Sequence, residues 1–159
     1  MLAISVVVFF SFRTAINSGR EQRSKQSARN MAAIYMALKG FARVNSRFPE
    51  RLSQLVPKYQ PDPTVFMHPA WPEQPGYAYV TGIRLSGEKA DPPATILLFE
   101  NVPAKKKKLD RLVLMLNGEI HLLSPAEFEK RIAEQAEAWQ KDKREWLIQV
   151  SSLDDKNAK

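Results

Sequence analysis

Two imidazoles, His68 and His121, are the only histidines in this 159-residue chain, and they are where a search for chemistry begins. Neither sits at a spacing that makes a site. No His-x-x-x-His pair and no H-E-x-x-H pattern occurs, so no helix presents two imidazoles to a metal. His121 falls in a strand pattern and reads as a sheet-face residue. His68 stands beside Pro69 in a proline-rich loop and reads as a loop contact, not a ligand. There is no cysteine, which removes disulfides, a thiol nucleophile and cysteine-held metals but leaves the compartment open. No G-x-S-x-G elbow is present, and the glycines are too scattered for a phosphate loop. Among the carboxylates, Glu127, Glu129 and Glu134 fall on a helix surface and Asp154 and Asp155 in the tail. Glu88 and Asp91, in "SGEKADPP", are too few to hold calcium. The residues therefore predict a protein that is not an enzyme, with no catalytic residue, cofactor, metal or small-molecule substrate.

The net charge of +7 and pI near 9.7 favour anionic partners in general without choosing among them. Arg13, Arg20, Arg23, Lys25 and Arg29 follow an apolar start, and a second basic run spans Lys105 to Lys108. The lysine run reads as solvated surface. No aromatic residue interleaves with either cluster, so stacking on bases has little support.

Several elements would have to position any site. Met1 to Phe12 is apolar except for Ser5 and Ser11. At helical rise it covers about 18 Å, against roughly 30 Å of bilayer hydrocarbon. Thr14, Ala15 and Ile16 can extend it, with Arg13 snorkelling. Val6 to Phe10 has no polar face, which argues against a buried helix of a soluble domain. No basic stretch precedes it and no A-x-A site follows, so a cleaved signal fits poorly.

From Ser18 to Val44 the chain turns amphipathic, with Ala28, Met31, Ala32, Tyr35, Leu38 and Ala42 at helical spacing. One long helix to about Val44 is predicted, which Gly19 and Gly40 weaken without ending. Pro49 starts a short helix carrying Leu52, Leu55 and Val56, and Pro57 closes it. Pro61, Pro63, Pro69, Pro72 and Pro75 make a rigid loop, pinned by Phe66 and Trp71.

Strands are predicted from Tyr77–Val80 continuing toward Ile83 and Leu85, and at Thr95–Glu100, Arg111–Leu116 and Glu119–Leu123. Asn117-Gly118 is read as a type I′ turn, with positive φ at both residues. Ser124, Pro125 and Glu127 form a capping box that opens the last helix. That helix carries Phe128, Ile132, Ala136 and Trp139 on one stripe and is expected to run through Trp146 to Val150. The predicted fold class is α+β: a long N-terminal helix packed on a small antiparallel sheet of three to four strands, with a C-terminal helix. Residues 1–16 are read as a membrane anchor, 17–150 as the head with the amphipathic helix, and 151–159 as a disordered tail.

The order of these features resembles one family. A helix that is apolar, then basic, then amphipathic leads into "RFPERLSQLVPKY". "DPTVFMHP", a "GYAYV" strand, a further strand and the hairpin "LVLMLNGEIHLLSPAEFE" follow. This resembles the bacterial type IV pilin-like proteins, specifically the pseudopilins of type II secretion, over about residues 1 to 130. Asn30, Ile34, Ala37 and Leu38 match the family's helix pattern, and Phe48, Pro49, Leu52 and Leu55 its following turn. His68-Pro69 stands where relatives have Cys-Pro. Asn117-Gly118-Glu119 stands where they have Asp-Gly-His, and Ser124, Pro125 and Phe128 match the helix start after it.

The resemblance implies a non-enzymatic structural protein, single-pass in the cell inner membrane, with its head in the periplasm or otherwise outside the cytoplasmic membrane. Its partners would be the membrane and other pilin-like subunits or secretion-system proteins. Two departures stand against it. The family's prepilin-peptidase site, a glycine before Phe-Thr-Leu-Ile-Glu, is absent, and Met1 aligns well inside the family's apolar helix, so its assembly glutamate has no counterpart. Either the chain start is missing or the protein is no longer processed and assembled. Basic residues after the apolar run would by charge alone place the head in the cytoplasm, but family members carry them there too. The alternatives are an anchored extracytoplasmic binding module that joins no filament and, last, a basic nucleic-acid-binding protein using Arg13 to Arg29, which leaves "SVVVFFSF" unexplained.

Overall fold

The computed structural model describes the backbone of residues 3–87, 89–106, 108–142 and 148–150, and side chains from Glu21 onward within those ranges, Gln149 and Val150 excepted. The apolar side chains of the proposed anchor and the tail 151–159 lie outside the described residues. Helix α1 spans Ala3–Asn45 without interruption, as its periodicity predicts. Glu21 to Gln26 are exposed, and Ser27 is buried. From there Asn30, Met31, Ile34, Ala37 and Leu38 are buried at three- and four-residue spacing. Ala32, expected on that stripe, faces solvent instead. The helix ends where Ser46 takes a left-handed φ of 58° and donates its N–H to the Ala42 carbonyl at 2.8 Å.

A short 3-10 turn, Leu52–Leu55, buries both of its leucines under α1. The proline segment, predicted as loop throughout, holds more structure than that. It contains a second 3-10 turn, Pro63–Phe66, and a small hairpin of β1 (Met67–His68) and β2 (Trp71–Pro75). Asp62 caps the turn by accepting from Thr64 N–H at 2.9 Å, a local signal that proline density obscures. Gly76 closes the hairpin's base. A Cβ there would lie 2.3 Å from His68 N and 2.7 Å from the Phe66 carbonyl oxygen, so no side chain fits.

The main sheet contains β3 (Tyr77–Val80), β4 (Ile96–Glu100), β5 (Arg111–Met115) and β6 (Ile120–Leu123), the strands read from sequence, except that β3 stops at Val80 and does not continue to Ile83 and Leu85. Its order is β6-β5-β4-β3, with a short extra edge strand, β7 (Ile148–Val150), antiparallel to β3. Helix α2, Pro125–Lys141, has the expected capping box: Ser124 N–H and its hydroxyl both reach Glu127 Oε2, at 3.0 and 2.6 Å. It ends at Lys141 and does not run on to Val150. The reason is the sheet edge. β3 is buried along its whole length, and its outer edge needs a partner, which β-branched Ile148 and Val150 supply as a strand.

Every residue of β4 is buried, because α1 and α2 cover opposite faces of the sheet. Glu100 meets Ser27 of α1, while Phe99 meets Phe128 of α2 with ring centroids 4.9 Å apart. Gln135 fastens α2 by bonding both the N–H and the carbonyl of Ile96, at 2.8 and 3.0 Å.

The β5–β6 turn differs in kind from the expected one. Only Gly118 has positive φ, 92°. Gly118 N–H donates to the Met115 carbonyl at 2.9 Å and Met115 N–H to the Glu119 carbonyl at 2.8 Å. That is a three-residue loop of a type I turn followed by a left-handed glycine, not a type I′ turn. Asn117 keeps negative φ and uses its side chain to accept from Glu119 N–H at 3.0 Å.

Candidate functional site

The polar groups with the most unusual surroundings converge where β4 meets α1. Glu100 ends an otherwise apolar strand and is only 6% exposed. Its Oε1 accepts from the Ser27 hydroxyl at 2.6 Å and lies 2.9 Å from His68 Nε2. Its Oε2 accepts from Leu112 N–H at 2.9 Å. The Tyr77 hydroxyl lies 3.1 Å from Ser27 Oγ, and Asn30 Nδ2 donates to the Met67 carbonyl at 3.3 Å. The cluster thus ties α1, the β1–β2 hairpin, β3, β4 and β5 together at one end of the head.

Hydrogen-bond geometry sets the protonation pattern. His68 Nδ1 accepts from Ala70 N–H at 3.0 Å, so the ring proton sits on Nε2 and is donated to Glu100. Burial alone would raise the Glu100 carboxyl above its usual range. The donors from His68, Ser27 and Leu112 outweigh that burial and hold it below its ordinary value. Burial pushes the Tyr77 hydroxyl up to about 12, against the lowering influence of Ser27 and Asn30. His68 is stacked on Trp71, with centroids 4.0 Å apart and planes 15° off parallel. Lys106 Nζ lies 5.5 Å from the centroid of the same indole. At the cluster's margin, Trp71 Nε1 and Arg111 Nε are buried with no hydrogen-bond partner among the described residues.

A serine, a histidine and a glutamate within bonding distance invite comparison with a nucleophilic triad, but the order is wrong. A triad places the imidazole between hydroxyl and carboxylate, so that it can take the hydroxyl proton. Here the carboxylate lies between the other two and both donate to it. Ser27 is also wholly buried, His68 is 4% exposed, and no substrate atom can reach either. The arrangement stores a charge among donors and locks elements together.

Elsewhere the sequence candidates stay apart. His121 lies on β6, 3.2 Å from Glu119 Oε2, with both side chains well exposed, which fits the sheet-face reading. Asp91 accepts from Arg84 N–H at 2.7 Å, and Glu127 is engaged in the α2 cap. Glu134 approaches Lys130 at 3.9 Å on the exposed side of α2, and Glu129 is exposed beside it. Glu88, Asp154 and Asp155 lie outside the described residues. Among the described residues, no group of three or more His, Asp or Glu could hold a metal ion. Beside the distal half of α1 runs an open depression of about 820 Å³, bordered by Tyr35, Met36, Arg43, Phe48, Leu85 and Asn117.

No protein-family model matches the chain, and no curated protein or solved structure matches it significantly.

Sequence reasoning makes His68 a loop contact and misses its partner Glu100, together with Ser27, which also bonds Glu100, and Tyr77, which bonds Ser27; Asn30 enters only through the family pattern. A faint signal exists. Ser27 and Asn30 are polar residues on the buried stripe of α1, and Glu100 closes an apolar strand run. Buried polar residues in apolar patterns imply partners elsewhere in the chain.

Proposed function

We propose that the protein is a non-enzymatic, pseudopilin-like structural subunit, anchored in the cell inner membrane by residues 1–16, with its α+β head outside the cytoplasmic membrane. One observation carries this reading: α1 is a single 43-residue helix whose side chains are exposed from Glu21 to Gln26 and packed on the head from Ser27. The part from Ala3 to Gln26 spans about 36 Å at helical rise. That length lets an apolar start enter a bilayer with about 30 Å of hydrocarbon while the basic turns from Arg20 to Arg29 stay near the headgroups. Among the described residues no helix is long and apolar enough to cross a membrane; the apolar side chains of the start are not among them.

Two further features support a structural role. The groups capable of chemistry are consumed by one another in the Glu100 cluster. On the distal half of α1, Met36 and Val44 are 70% and 66% exposed, which suits apolar contact with neighbouring helices. A second reading, an anchored binding module outside any filament, is favoured by the open depression beside Met36.

The anchor is tested by fractionation. The full chain should sediment with membranes and require detergent for release, whereas residues 17–159 should be soluble and cooperatively folded. Recovery of the full chain as a soluble monomer without detergent would remove the anchor and this reading with it.

A further inference from the structure

The sequence reads Lys105 to Lys108 as solvated surface, but the fold gives the run a location. β4 ends at Glu100, the chain passes through residues 101–110, and β5 starts at Arg111. Glu100 bonds Ser27 at the start of the buried part of α1, while Tyr35, two turns later, bonds the Leu116 carbonyl beyond the far end of β5. The helix and β5 therefore run the same way. The N-terminal part of α1 leaves the head at the end crossed by the lysine loop. Lys105, Lys106 and Lys108 are all exposed there, as are Arg23, Lys25 and Arg29 on the departing helix. Acidic compensation at this end is thin: Glu100 is buried, Glu21 is paired with Lys25 at 2.7 Å, and Asp110 and Glu73 remain. Trp71 backs the loop, with Lys106 over its ring.

We propose that this loop is a docking surface for anionic phospholipid headgroups, which holds the head down on the membrane that α1 enters. The proposal rests on the anchored reading and adds to it a second, electrostatic contact. The distances agree with it. From Ile16 to Ser27 the helix rises about 16 Å. Roughly 5–8 Å of that is headgroup region. The loop lies at the Glu100 end, from which the helix leaves the head, and a lysine side chain with one Debye length of about 8 Å spans the remainder. Each lysine at an anionic surface should favour the docked state roughly fivefold.

Because the chain has no cysteine, Ala104→Cys gives a single attachment point for a dye on the loop. The full chain is reconstituted in phosphatidylcholine vesicles, with or without phosphatidylglycerol, that carry a headgroup-bound energy acceptor. Insertion into neutral vesicles reports on the anchor alone, so its failure would be charged to that reading and not to this one. Transfer from position 104 should rise on the anionic vesicles and return to the neutral value in 0.5 M salt. Replacing Lys105, Lys106, Lys107 and Lys108 together with glutamine should lower the docked-to-free ratio by roughly a hundredfold or more with an unchanged melting curve. Equal transfer on neutral and anionic vesicles, or an undiminished signal in the glutamine variant, would overturn the proposal. So would displacement from anionic vesicles by a mixed-sequence single-stranded oligonucleotide at physiological salt, which would assign the loop to nucleic acid.

Discussion

Glu100→Ala should be among the most damaging single changes in the head, costing about 3–5 kcal/mol, because it leaves buried donors without an acceptor. Three donors lose their acceptor together: His68 Nε2, the Ser27 hydroxyl and Leu112 N–H. Each unsatisfied buried donor costs about 1–3 kcal/mol, and a small domain has only about 5–15 kcal/mol to lose. Glu100→Gln keeps an acceptor and should cost less, but it separates packing from charge. Because the folded carboxyl is held below its ordinary value of 4.5, the wild-type cluster contributes its full stability above that pH. The contribution is lost as pH falls through the lowered value. Denaturant melts between pH 7 and 3 should show an acid-dependent loss of stability in the wild type that is reduced in Glu100→Gln. Equal slopes in both would mean that the cluster does not store the charge.

This cluster also marks the limit of what the sequence discloses. Glu100 lies 73 residues from Ser27 and 32 from His68, and no local pattern joins groups that far apart. Where a signal is local, it is legible. The Ser124–Glu127 capping box, the period of α1 and the four short apolar strand runs each depend on residues within one or two turns of chain. β7 escapes for the opposite reason: a helical pattern continues past Lys141, and only the open edge of β3, far away in sequence, makes Ile148–Val150 a strand. The turn at Gly118 falls between these cases. Its glycine is readable. Its loop length is not, because register is set by the pairing of Leu114 with Ile120.

Gly118→Val is expected to be nearly as costly, by about 2–5 kcal/mol. Positive φ contributes about 1–3 kcal/mol of strain for a β-branched residue, and overpacking adds a similar amount. The second contribution comes from α1: a Cβ at Gly118 would lie 2.7 Å from Tyr35 Cε1 and 3.2 Å from its hydroxyl. That hydroxyl donates to the Leu116 carbonyl at 3.1 Å, so the substitution also disturbs the contact that seats the hairpin on the helix. Thermal unfolding of residues 17–159 should show a melting temperature lower by roughly 10 °C or more. Asn117→Asp should stay within about 0.5 kcal/mol of wild type, since aspartate can accept from Glu119 N–H in the same way. A severe Asn117→Asp defect beside a mild Gly118→Val defect would show that the turn does something other than set register.

Whether α1 is a contact surface for other subunits is directly measurable, because the chain has no native cysteine. Val44→Cys in the full chain, at a position 66% exposed on α1, carries a thiol-linked photocrosslinker, and the chain is irradiated in the membranes of the cell that makes it. Adducts should form through the introduced thiol with further copies of the chain or with other pilin-like subunits, identified by mass spectrometry of the crosslinked peptides. A chain that sediments with membranes yet remains wholly monomeric at that position would contradict it and leave the anchored binding module in its place.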